Sequence, residues 1–367
     1  MKFKYRLIFF FIGLLGIGLM VWQSWDDFNS LDWKSLIEPK ALLLFAAIMA
    51  VWVVIYFLHA IAYKVILKED SKNVKMYRMY RICLAGFALN NVTPAGLIGG
   101  EPYRIMALRR YVPTERATSS TLTFSIFYAL GHFMLWVTGT VLYIIFGCPG
   151  PLWVTIVLII AGVLLFGVVV WSFFARNIGF VYPFMRLIAK IPLLRRKTKP
   201  LVEKNKESYI GIDDNIRAFR NEGWRYWAVI LLEYSSRLLE AFEYFLLLKF
   251  FVGSGVSVSY FDGILIMSTA SLVGNILFII PMQAGSREFG TSLALGFIGV
   301  SSAVFAPMAI VYRIRELVFI VIGIILVLVG RKYKPHAQVM QEIEEKNHGD
   351  EKEPEKLEGQ KPVKNEK

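Results

Sequence analysis

Six apolar runs, each near the length of a bilayer crossing, constrain this chain more than any motif in it. A helix rises about 1.5 Å per residue, so roughly 20 apolar residues span ~30 Å of hydrocarbon. Such runs occupy residues 7–23, 41–63, 118–146, 152–175, 225–250 and 303–330, with a further apolar region at 261–298. The expected fold class is an all-α integral membrane protein, a polytopic helical bundle over residues 1–330. Composition agrees: 56% of residues are hydrophobic, 15% are aromatic, and the mean hydropathy is +0.52, more than a soluble core needs.

Lys2, Lys4 and Arg6 precede the first run, as in a secretion signal, but no small-x-small cleavage site follows it, so it reads as a retained anchor. Orientation follows from lysine and arginine, which collect in cytoplasmic loops. Residues 64–81 hold Lys64, Lys68, Lys72, Lys75, Arg78 and Arg81, whereas 24–40 carries Asp26, Asp27, Asp32 and Glu38 against Lys34 and Lys40. The first is expected inside and the second outside. The basic loop 176–224 and both termini then also fall in the cytoplasm. Cys83 and Cys148 fall on opposite sides, which implies neither a disulfide nor a thiolate metal site. The tail 331–367 mixes acids and lysines with little apolar content, the composition of a disordered segment.

The net charge of +13 does not indicate nucleic acid, because the basic residues flank spans and form no aromatic-interleaved face. The same loops attract anionic lipid head groups.

Two stretches interrupt the pattern. Residues 82–108 have basic flanks at both ends, and their apolar part is broken by Asn90, Asn91, Thr93, Pro94 and Gly96. Broken backbone at membrane depth survives only where protein or a wet cavity satisfies it, so a re-entrant hairpin is expected. Its second limb starts near Glu101, after Gly99 and Gly100, with Pro102 in the first turn. The free N–H groups of such a helix start attract anions. The stretch lacks the lysine and hydroxyl residue of a nucleotide-binding loop.

The second, "GNILFIIPMQAGSREFGTSLAL" at 274–295, repeats the order of the first: apolar limb, asparagine, proline, small residues, charge, apolar limb. Region 261–298 must begin and end outside, so it crosses twice or dips in and returns. A dip would give an inverted repeat with a site near the midplane. The competing reading makes both breaks packing kinks.

Charges within the spans point to the same level. Glu233, Arg237 and Glu240 share one helix face, with Glu243 nearby, and Arg313 and Glu316 share another, while Arg315 points elsewhere. Ionisable groups at depth should face partners or water. They form either a polar path or structural ion pairs. His132 reads as a satisfied interior histidine. No metal-ligand spacing and no nucleophile–base set is present, so no cofactor and no enzymatic activity are expected.

"TPAGLIGGEPYR", then "PMQAGSREFG" and "VYRIRE", resembles the family built on the transmembrane region of lysylphosphatidylglycerol synthase, also described as flippase-like. The resemblance implies a membrane part that moves lipid between leaflets in a bacterial inner membrane. The soluble aminoacyl-transfer part has no counterpart before the charged tail. It carries a substrate-binding role onto Pro94, Gly99, Gly100, Glu101, Arg104, Pro281, Gly285, Arg287, Glu288 and Arg313, with Thr93 beside them. The third span departs from the family pattern: "TLTFSIFYALGH" has His132 where relatives carry an acid–arginine pair, and Gln283 and Ser286 replace glycine-rich sequence.

The expected function is binding and translocation of an anionic-headgroup lipid, a phospholipid or polyprenyl-linked precursor, with Glu233, Arg237 and Glu240 lining the route. The alternative is a membrane scaffold or regulator of a lipid-modifying or glycosyl-transferring enzyme, which would be its partner.

Overall fold

The computed structural model describes residues 38–92, 100–147, 152–174, 181–190, 200, 202–203, 206–221, 223–252, 256–276, 283, 285–301 and 304–329. The apolar run 7–23, the tail 331–367 and the site candidates Thr93, Pro94, Gly99 and Pro281 lie outside the described residues.

Among the described residues the secondary structure is helical, with eleven α-helices and no strand. They are α1 (Pro39–Leu67), followed by a short 3₁₀ segment (Lys68–Asn73), α2 (Met76–Val92), α3 (Gly100–Leu108), α4 (Thr114–Ile145), α5 (Leu152–Phe174), α6 (Val181–Ile188), α7 (Lys206–Arg220), α8 (Trp224–Phe251), α9 (Tyr260–Ile276), α10 (Ser286–Phe297) and α11 (Phe305–Val329). Pro39 occupies the first turn of α1, where a missing N–H costs nothing, and Pro113 precedes α4.

Two of these differ from the sequence expectation. Helix α2 starts at Met76 within the basic flank, six residues before the apolar stretch at 82, since Arg78 and Arg81 are good helix formers and do not end a helix. The basic segment 176–224 is not simply a loop. It contains α6 and α7, and α7 packs against α4 through Phe219, whose ring meets Phe127 edge-on at 5.7 Å between centroids.

By length and apolarity alone, Pro39–Asn73 and Thr114–Ile145 qualify to cross a bilayer. Helices α8 and α11, of 28 and 25 residues, are long enough but carry Glu233, Arg237, Glu240, Glu243, Arg313, Arg315 and Glu316. Large apolar side chains stand exposed on several helices: Leu43 and Phe57 on α1, Val163, Leu164 and Phe166 on α5, Ile325 on α11. Surfaces of that kind are rare on water-soluble monomers and suit lipid contact.

Helix α8 is central, packed against α1, α4 and α9, while α2 lies along α11 and α9 along α10. The buried apolar residues form two clusters. One joins the Tyr56–Leu67 end of α1, all of α2 and α3, the first half of α4 and the start of α8. The other joins Ile48, the second half of α4, Ala241 to Leu248, α9, α10 and the start of α11. Helices α1, α4, α8 and α11 run through both clusters, whereas the α2–α3 pair belongs to the first and the α9–α10 pair to the second. The ionisable residues of α8 and α11 fall between the two apolar clusters. Because the helices give no side chain access to water there, every charge at this level needs a protein partner.

Candidate functional site

The site has three groups of side chains stacked along the bundle. The first lies where α2 gives way to α3. The Asn90 side chain accepts from the backbone N–H of Gly100 at 2.8 Å, taking one of the free donors at the start of α3. Gly100 is required by this approach, since a Cβ there would run into the Asn90 side chain and the Gly86 carbonyl. Gly86 in turn leaves room for the stem of Arg104. Glu101 receives Ser125 Oγ at 3.2 Å, Asn90 Nδ2 at 3.4 Å and Arg104 Nη1 at 3.5 Å, all on Oε1.

Arg104 is 1% exposed and lies over the ring of Phe87, with its guanidinium carbon 4.3 Å from the centroid, and 5.4 Å from that of Phe124. Among the described residues its Nε and Nη2 and the Oε2 of Glu101 have no hydrogen-bond partner. A guanidinium carries five N–H donors, and here a single long contact uses one of them.

The second group lies at the start of α10. Gly285, at φ +80, takes a left-handed turn that suits glycine, and its N–H donates to Glu288 Oε2 at 2.8 Å. Glu288 Oε1 accepts from Arg313 Nε at 2.6 Å and Tyr312 OH at 3.1 Å. Arg313 also donates through Nη1 to Glu316 Oε2 at 2.9 Å. Among the described residues Arg287 has Glu316 Oε1 alone as a carboxylate contact, at 3.7 Å, and its Nε is buried without a hydrogen-bond partner.

The neighbours Arg287 and Glu288 therefore do not neutralise each other. Successive helical residues point about 100° apart, and each finds its counter-charge on α11 instead.

The third group lies between them. Arg237 Nη1 reaches Glu240 Oε1 at 2.5 Å and His132 Nε2 at 3.1 Å, and Nη2 reaches His59 Nε2 at 3.1 Å. The guanidinium lies 4.3 Å from the centroid of Tyr128, and His132 Nδ1 lies 3.2 Å from Ser271 Oγ. His132 is thus a satisfied interior histidine, and it is also part of the charged layer. Arg315 points away from Arg313 and Glu316, as expected, and pairs with Glu243 through Nε at 3.0 Å and Nη2 at 2.8 Å.

The structure brings Glu101 together with Arg104, Glu233 with Arg237 and Glu240, and Arg287, Glu288 and Arg313 around Glu316. It does not bring Glu101 into contact with Arg287. Between the outer groups stand Phe87, whose ring is 5.1 Å from Tyr128, and then the Arg237 cluster. Sequence reasoning missed His59, Tyr128 and Trp52. An ionisable residue inside an apolar run was the available signal for His59. A small cavity among Trp136, Thr140, Tyr143, Ser268 and Thr269 lies apart from the ion pairs.

This geometry, in which the starts of α3 and α10 each bring an arginine to an interior layer of charge, belongs to a chain whose residues 8–323 match the model of the lysylphosphatidylglycerol synthase TM region. The chain belongs to that family. It is accordingly an integral membrane protein of a family of lipid-handling membrane domains. Searches of curated proteins and of solved structures find no match.

Proposed function

We propose that the protein binds an anionic lipid head group and moves the lipid between leaflets. The observation that carries this reading is the contrast among the interior arginines. Arg313 and Arg315 each hold carboxylates at 3.0 Å or less, whereas among the described residues Arg104 and Arg287 have one carboxylate contact each, at 3.5 and 3.7 Å, and buried donors without an acceptor. Unused buried donors are costly, and a phosphate is the acceptor whose geometry suits a guanidinium.

Both under-used arginines follow helix breaks, one in each half of the chain. In this reading α2–α3 enters from the cytoplasmic side, α9–α10 enters from the outer side, and Glu233, Arg237 and Glu240 line the route between them. Unusual backbone near the midplane, opposed from two faces, is the arrangement of inverted-repeat carriers. The bundle is oriented in the inner membrane with the basic segments 64–81 and 176–224 cytoplasmic. Arg104 is 1% exposed, so head-group entry requires a second conformation, as alternating access does.

The test is reconstitution into liposomes with fluorescent phospholipids and measurement of leaflet exchange. Wild type should accelerate exchange of anionic lipid, and Arg104→Ala and Arg287→Ala should reduce it strongly. Exchange no faster than in protein-free liposomes, across a broad lipid panel, would transfer support to the scaffold reading.

A further inference from the structure

Glu233 stands apart from the other interior carboxylates. Glu243 accepts two N–H groups from Arg315, Glu288 and Glu316 each accept from Arg313, and Glu240 accepts from Arg237. Glu233 is 0% exposed, and its nearest guanidinium nitrogen, Arg237 Nη2, is 4.0 Å away. His59 Nδ1 lies 3.0 Å from both of its oxygens. The hydrogen bond goes to Oε1, and among the described residues Oε2 has no hydrogen-bond partner.

The hydrogen-bond geometry fixes the state of the neighbouring histidines. A guanidinium only donates, so the Nε2 atoms of His59 and His132, each 3.1 Å from Arg237, must accept. Each ring then keeps its hydrogen on Nδ1, facing Glu233 in one case and Ser271 in the other. Both imidazoles are neutral in this arrangement.

The charges of this layer do not balance. Among the described residues, the carboxylates of Glu101, Glu233, Glu240, Glu243, Glu288 and Glu316 face the guanidiniums of Arg104, Arg237, Arg287, Arg313 and Arg315. One carboxylate is in excess. Every other carboxylate has an arginine within 3.5 Å, so the excess falls on Glu233.

Among the described residues the other cations near it have carboxylates of their own: Arg104, which lies over Phe87 and Phe124, is paired with Glu101. Around the His59–Glu233 pair, α2 presents Cys83 and Phe87, and α4 presents Phe124, Tyr128 and His132. Helix α8 adds Arg237 and Glu240, and α9 adds Ser271 through His132; on α1, Tyr56, one turn before His59, has Arg315 and Glu316 of α11 near it, which are already paired with Glu243 and Arg313.

We propose that Glu233, with His59 as its hydrogen-bond partner, is a proton-binding site whose filling and emptying accompany lipid movement. A proton from water adds to Oε2 and gives a neutral carboxylic acid, and its release to water restores the carboxylate. The layer passes from one excess negative charge to none and back. Chains of acids and histidines inside a membrane bundle serve this role in proton-driven carriers. The coupling half of the proposal rests on the lipid-translocation reading above, and the proton site does not.

The experiment has two arms. In the first, the purified protein in zwitterionic nanodiscs is followed by infrared difference spectroscopy across pH. A buried carboxylic-acid band should appear on acidification, be missing in Glu233→Gln and be displaced in His59→Gln. Lack of the band in wild type, or its persistence in Glu233→Gln, overturns the proton site.

In the second arm, liposomes with internal pyranine and fluorescent phosphatidylglycerol are given a pH gradient of either sign. Exchange should change by up to about tenfold per pH unit, with opposite effects for the two signs and with proton entry. Glu233→Gln should lose that response, and if it abolishes exchange outright the infrared band decides. Wild-type exchange that ignores the gradient overturns the coupling. Wild-type exchange that never exceeds the lipid background overturns the translocation reading instead, and the band still judges the proton site.

Discussion

Arg315 lies over the indole of Trp52, 3.9 Å from guanidinium carbon to ring centroid, and both side chains hold Glu243. The indole N–H donates to Glu243 Oε2 at 2.8 Å, so one carboxylate ties α1, α8 and α11 together. Both oxygens of Glu243 have donors at 3.0 Å or less, so the arrangement reads as structural. Arg315→Ala would leave a buried carboxylate without its cation and should cost about 3–5 kcal/mol. Trp52→Phe keeps most of the ring and loses one N–H bond to a charged group, about 1.5–3 kcal/mol. Thermal unfolding in detergent ranks the two. Equal stability of Arg315→Ala and wild type would show that the clamp does not hold the helices.

Arg313 and Arg287 should separate stability from binding. Arg313 holds Glu288 and Glu316 at once, whereas among the described residues Arg287 has Glu316 alone as a carboxylate contact, at 3.7 Å. Arg313→Ala is therefore expected to lower the unfolding temperature far more than Arg287→Ala. Affinity for an anionic phospholipid, measured by native mass spectrometry, should fall with Arg287→Ala. Charge-assisted hydrogen bonds of about 1.5–3 kcal/mol correspond to roughly 10–150-fold. An Arg287→Ala protein that binds the lipid as wild type does would remove this arginine from the site.

The parts that were legible in the sequence are those set by spacing along one helix. The faces of α8 and α11 follow from the 3.6-residue repeat, so Arg237 beside Glu240 and Arg313 beside Glu316 could be read directly. The start of α3 at Gly100 could be read from the glycines and Pro102. Pairings across helices could not. Glu233 meets His59, 174 residues away in sequence, and Glu243 meets Arg315, 72 residues away. Those contacts depend on helix rotation and register, which composition does not encode. The chain of contacts from Arg104 through Phe87 and Tyr128 to Arg237 joins three helices and depends on the same rotation and register.

The close approach at the first break predicts a sharp response to one methyl group. In Gly100→Ala the new Cβ meets the Asn90 side chain and the Gly86 carbonyl, neither of which can withdraw without disturbing Glu101. Overpacking of this kind costs about 1–3 kcal/mol. Gly296→Ala is the control, since a Cβ there meets nothing within 4 Å. It should be neutral or slightly stabilising in unfolding measurements. Indistinguishable stabilities for the two variants would contradict the packing of α2 against the start of α3.

Helix α7 offers a way to set the lipid-moving reading against the scaffold reading. Its apolar side is docked through the buried Phe219, beside Phe127, while Arg217 pairs with Asp214 on an exposed surface. Surface pairs of that kind contribute at most about 1 kcal/mol, so Arg217→Ala should leave α7 in place. Phe219→Ala removes a large buried ring, a change that costs about 3–5 kcal/mol in a well-packed core, and should loosen α7 from α4. Limited trypsin digestion should then cut at Lys206 and Arg220, sites that all three proteins keep, faster in Phe219→Ala than in either wild type or Arg217→Ala. None of the head-group contacts passes through Phe219, so lipid exchange by the reconstituted Phe219→Ala protein should stay within a few-fold of wild type. If exchange instead collapses with α7, the basic segment takes part in the lipid-moving machinery, and the division between an interior carrier and a peripheral helix has to be abandoned.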